Sequence, residues 1–271
     1  MKKTELMIVI KIMKKSNILK QIVVFTLFII SILILKTSTA KYLLSIDIND
    51  YNTQTISKIF FNLLLIIGSV YLIRKEDLFK TGGLTKVKVE KPLLLVFPLI
   101  YLVLLNLLIP SEIPAFNFSN ILILTLYCIS IGFAEELSIR SVLLPLILKF
   151  NNGSKMKAVL FSSLIFGALH LIHFNKGIPG EISQLFFATF IGFMFGALLL
   201  ITKRIYPLII IHAIIDFVAK LDSLGKPIKE TVYDPMDIES AIFTVILVLP
   251  CLIYGLIIFR KYSKKDEYKT E

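Results

Sequence analysis

Seven ionisable side chains fall inside apolar stretches of this chain: Glu135, Glu136, Arg140, His170, His173, His212 and Asp216. They include all 3 of its histidines. A charge at mid-bilayer costs several kcal/mol unless it is paired or hydrated, so each is a functional hypothesis. Glu136 and Arg140 are four apart, the spacing of a helical ion pair. Glu135 is turned about 100° away and has no partner on its own helix. A carboxylate so placed can take a proton from water as a general base. His212 and Asp216 are again four apart and offer two polar groups on one face. Phe166, four before His170, can cover that histidine from lipid. A single Glu–Arg pair or a single intramembrane histidine is as readily structural as functional. Three successive helices reading Glu-Glu-x-x-x-Arg, Phe-x-x-x-His and His-x-x-x-Asp are harder to explain as packing.

These motifs resemble the CPBP intramembrane proteases, both the CAAX prenyl protease 2 type and the Abi group linked to bacteriocin processing and self-immunity. The matching residues are Glu135-Glu136-Leu-Ser-Ile-Arg140, Phe166-Gly-Ala-Leu-His170 and His212-Ala-Ile-Ile-Asp216. The resemblance covers about residues 120–220. It implies an all-helical membrane core that hydrolyses a peptide bond at or near the membrane. It also implies Glu135 and His170 as the water-activating pair, with His212 and residue 216 stabilising the oxyanion. Many members carry Asn at the last position, and Asp216 departs from that pattern. A carboxylate donates to an oxyanion only when protonated. His173 matches no motif and is expected to tolerate substitution. No His-Glu-x-x-His is present, which argues against a zincin. Glu135, His170 and His212 could still hold a divalent metal such as zinc with one open position.

The elements that must position these residues follow from composition. The chain has 271 residues, 56% hydrophobic and 18% charged, and a mean hydropathy of +0.82. Soluble domains average about 25% charged residues. The expected fold is therefore all-α, a polytopic membrane protein of about eight helices. The spans are expected at about 18–40, 56–73, 92–110, 120–148, 157–174, 180–202, 205–220 and 238–259. The first is read as an anchor, since no convincing signal-peptide cleavage site follows it. Met13 opens a second start, which would make the first twelve residues dispensable. The net charge of +11 does not point to nucleic acid, because the lysines and arginines lie beside apolar spans without interleaved aromatics. Most of the 30 Lys and Arg fall on one side of the alternating spans, which puts both termini in the cytoplasm of a cell-membrane protein. Lys36, Lys41, Lys58, Lys176, Lys220, Lys226 and Lys229 are assigned to the opposite side. Beyond the seven residues above, the spans are expected to hold no ionisable group away from their ends. Pro145 should kink the fourth span. Cys128 and Cys251 lie in apolar runs and frame no disulfide network.

Four regions are expected: an anchor region at 1–91, a third helix and outer loop at 92–120, the protease-like core at 120–220, and an outer loop, last helix and basic tail at 221–271. The expected partners are a peptide or membrane-protein substrate and the lipid bilayer. Two rival readings use the same residues. A transporter or proton relay also buries Glu, His and Asp, but would predict paired broken helices in corresponding halves, and no such symmetry is visible. A non-proteolytic immunity or scaffold protein could keep the fold alone.

Overall fold

The long apolar runs lack interior prolines over most of their length, and they fold as helices wherever the chain is described. The computed structural model describes residues 3–107, 116–172, 176–228 and 234–263. His173 and residues 108–110 of the third expected span lie outside them. The helices are α1 (Lys3–Ser45), α2 (Tyr51–Lys75), α3 (Val96–Leu107, after a 3-10 turn Pro92–Leu95), α4 (Phe118–Glu136), α5 (Leu144–Phe150), α6 (Lys155–Leu169), α7 (Gly177–Thr202), α8 (Tyr206–Ala219) and α9 (Ile238–Ser263). No strand occurs among the described residues. Starts are set by short polar side chains that satisfy otherwise unpaired first-turn amides. Asp50 accepts from the Thr53 amide at 2.8 Å, Asn117 from that of Ser119 at 3.0 Å, and Asp237 from that of Ser240 at 2.8 Å. These amides hold the Asp50 and Asp237 carboxyls below the usual carboxylate range. The two caps therefore weaken only as pH falls through those lowered values.

Among the described residues six helices are long and apolar enough to cross a membrane, and Pro92–Leu107 and Tyr206–Ala219 form shorter apolar helices. This is a multi-pass membrane protein. Each of the eight expected segments has a helical counterpart among the described residues, the seventh at Tyr206–Ala219. The 14 residues of α8 rise only about 21 Å, less than a bilayer core of about 30 Å. At the centre, α7 packs along α6 and α9, while α4 packs between α2 and α8 and α1 lies outside against α2 and α5. Burial follows this order: 67% of the most apolar window of α7 is buried against 22% for α1.

Two expectations need correction. Pro145 marks a defect in the fourth span that the sequence did not specify. A π-helix, Leu137–Leu143, lies just before it, and the helical span continues unbroken over Phe118–Phe150. Proline supplies no amide for the usual bond four residues back, and the Leu144 amide instead bonds the Ile139 carbonyl, five back. Such π segments widen a helix locally and recur at functional sites. Here it carries Arg140, and Ser141 Oγ donates to the Gly82 carbonyl at 2.8 Å, tying the loop after α2 to the widened turn. The second correction is Lys36. It sits within the continuous span Lys15–Ser45 and points into the bundle, so one ionisable residue of the interior escaped the sequence reading.

Orientation is a testable expectation. With basic residues concentrated on the cytoplasmic side, a reporter fused after Phe116 should read outside and one after Ser154 should read inside. The reverse pattern at both sites would invert the assignment.

Candidate active site

Glu135 and Glu136 close the last turn of α4, and the two carboxylates diverge around one imidazole from α8. Glu136 is fully buried at 0% exposure. Its Oε1 pairs with Arg140 Nη1 at 3.1 Å and accepts from His212 Nδ1 at 2.8 Å. The other ring nitrogen of His212, Nε2, faces Glu135 Oε2 at 3.6 Å. Glu135, with 34% of its side chain exposed, is the open carboxylate of the two. The expected pairing of Glu136 with Arg140 is present. Glu135 is not without a partner, however, because α8 supplies one that its own helix lacks. The close approach of α4 and α8 depends on Gly132, where a Cβ would stand 2.7 Å from the Ile209 carbonyl.

The guanidinium of Arg140, 1% exposed, is enclosed by aromatic rings. Its carbon stands 4.4 Å from the centroid of Phe166 and 5.7 Å from that of Phe195. Its Nε and Nη2 and the Glu136 Oε2 have no hydrogen-bond partner among the described residues. The ring faces supply part of the compensation such a charge needs. Phe195, on the central α7, also meets the His212 ring edge-on at 6.0 Å. Phe166 does more than shield a histidine from lipid: it packs Arg140 and meets the His170 ring edge-on at 4.7 Å.

His170 begins the 3-10 turn that ends α6. Its Nδ1–H donates to the Phe166 carbonyl at 2.8 Å, which leaves Nε2 free to accept. Among the described residues no hydrogen bond or ion pair joins it to Glu135. Asp216, one turn beyond His212, pairs with Lys220 at 3.5 Å. Within the described residues no three His, Cys, Asp or Glu side chains gather as metal ligands. Glu135, His170 and His212 therefore do not form a ready-made zinc centre.

Sequence reasoning missed a polar chain beside this cluster. Lys36 Nζ donates to Asn62 Oδ1 at 2.9 Å, and Asn62 Nδ2 to Ser130 Oγ at 2.8 Å. The signal was available as a lysine inside an apolar run with an asparagine inside the next one. Phe195 carried no such signal, being one phenylalanine among 21.

Chemically, an imidazole held between a buried and an open carboxylate can orient a proton acceptor without being consumed. The open carboxylate can accept a proton from water. Comparison with curated proteins and with solved structures gives no match. Residues 117–218 match the family described as type II CAAX prenyl endopeptidase Rce1-like. That stretch contains Glu135, Glu136, Arg140, Phe166, His170, His212 and Asp216, and the family is one of proteases. This match supports a place for the segment among the CPBP/CAAX proteases.

Proposed function

We propose that the protein is an intramembrane endopeptidase in which Glu135 activates water for attack on a substrate carbonyl. The observation that carries this reading is the single His212 ring bracketed by Glu136 at 2.8 Å and Glu135 at 3.6 Å. Glu136 and Arg140 fix the imidazole, and the imidazole fixes the open carboxylate. In the reaction the water oxygen bonds to the carbonyl carbon as Glu135 takes its proton, and the carbonyl electron pair moves onto oxygen. On collapse that pair re-forms the carbonyl, the C–N bond breaks, and the amine leaves with the proton held by Glu135. His170, anchored through Nδ1, presents Nε2 as the second group that orients the water. The mechanism needs no metal.

The substrate is a peptide or membrane-protein segment reaching the site from the bilayer or its cytoplasmic face, in the manner of a prenylated carboxyl-terminal peptide or a bacteriocin-like precursor. The test is to incubate purified protein with prenylated CAAX peptides and a library of apolar membrane peptides, with and without a strong chelator. A defined internal cut that survives chelation is expected. Cleavage abolished by chelator and restored by zinc would overturn the metal-free mechanism. Substrate-driven proton or ion flux in vesicles, with no cut in any peptide, would favour a transporter.

A further inference from the structure

A lysine inside an apolar helix is expensive, and so long a side chain usually escapes by reaching for the headgroups. Lys36 does the opposite. It lies nine residues before the end of α1, yet its ammonium turns inward to Asn62, which is 2% exposed. Asn62 is held by Ser130, whose hydroxyl donates to the Tyr127 carbonyl at 2.7 Å. The ammonium also stands 5.8 Å from the centroid of the Tyr127 ring. Ser130 lies five residues before Glu135 on α4, about 7.5 Å along the axis. Asn62 thus holds the Lys36 ammonium against α4, within about one and a half turns of Glu135 along the axis.

The charges around Lys36 are Glu135 and Asp216, which attract it, and Lys58 and Lys220, which repel it. Neither carboxylate forms an ion pair with it, since Glu135 faces His212 and Asp216 faces Lys220. An ammonium has three N–H donors. Asn62 takes one, and no other hydrogen-bond acceptor for Lys36 occurs among the described residues. The opposite wall is short of donors. Asp216, ion-paired as a carboxylate, only accepts, and His212 gives its Nδ1–H to Glu136 and turns Nε2 to Glu135. A carbonyl attacked by water at Glu135 develops negative charge that needs a donor already in place.

We propose that Lys36 is that donor, its ammonium stabilising the oxyanion formed as water adds to the substrate carbonyl. The role rests on the endopeptidase reading above. Lys36 keeps its proton throughout: it binds the oxygen while the charge is there and releases it when the carbonyl re-forms. The carboxylate Asp216 offers no donor, and a cation from α1 makes up for it.

The test compares kcat and KM for wild type, Lys36→Met, Lys36→Gln, Asp216→Asn and the double variant Lys36→Met/Asp216→Asn, each shown to be monodisperse. Lys36→Met should lower kcat by about 10²–10³-fold, the usual effect of removing an oxyanion donor, with KM little changed. Lys36→Gln keeps a polar link to Asn62 without the charge, so it should fold normally and still lose kcat. Asp216→Asn alone should raise kcat. Added to Lys36→Met it should restore at least about tenfold, because an amide donates where a carboxylate does not. Unchanged kcat in both Lys36 variants, or a loss that Asp216→Asn does not relieve, would overturn the role. A wild-type protein that cuts nothing would overturn the endopeptidase reading and this role with it, whereas a cutting enzyme indifferent to Lys36 overturns only the latter.

Discussion

Glu135→Gln protein should assemble in the membrane as the wild type does and cut at least about 10³-fold more slowly, within the range expected for loss of a general base. The amide keeps the shape of the side chain but cannot accept a proton at neutral pH. The fold should survive because Glu135 is the open member of the pair. The buried contacts with Arg140 and His212 belong to Glu136. Initial rates together with a thermal melt in detergent check both halves of the prediction. His170→Ala should be similarly slow, and the double variant hardly worse than either single one, because groups acting on one water do not contribute additively. A Glu135→Gln melt well below that of wild type would show that the residue is structural.

Arg140→Ala should cost folded protein before it costs chemistry. Removing one member of a fully buried ion pair typically destabilises by about 3–5 kcal/mol, because the survivor is left charged and unpaired. Here the survivor is Glu136, with no exposure at all, and the lost guanidinium also leaves the Phe166 and Phe195 faces unfilled. Yield and melting temperature should both fall. Adding Glu136→Gln removes the stranded charge and should recover yield, but His212 Nδ1 then loses its carboxylate, so activity should recover less. Wild-type yield for Arg140→Ala alone would mean that the pair contributes little to stability.

The helices were legible because eight apolar runs admit little else in a bilayer. The site residues were legible because ionisable groups are conspicuous against such a background. The joint between α4 and α8 was not. That Glu136, rather than Asp216 on its own helix, meets His212 depends on the axial offset of two helices, set by the contact of Gly132 with the Ile209 carbonyl. No spacing within either helix encodes it. The π-helix was half legible: Pro145 announced a defect, but not that the extra residue would be absorbed before the proline and widen the turn holding Arg140. Lys36 was misread because the first span was taken to end near residue 40, which made this lysine a boundary charge. The helix continues to Ser45, and Asn62 on α2 draws the ammonium inward.

The central claim, that water activated at Glu135 attacks the peptide bond directly, is tested most directly by a single-turnover cleavage in H₂¹⁸O. The protein is held in excess over a peptide it cuts, and the new carboxyl terminus is read by mass spectrometry. Direct attack places one ¹⁸O in the product of the first turnover, and the same experiment with Glu135→Gln should yield essentially no product. A first-turnover product carrying only ¹⁶O would mean that Glu135 or another carboxylate of the protein attacks the carbonyl and gives up its own oxygen, and equal cleavage by the Glu135→Gln protein would mean that the base lies elsewhere; either result contradicts the account.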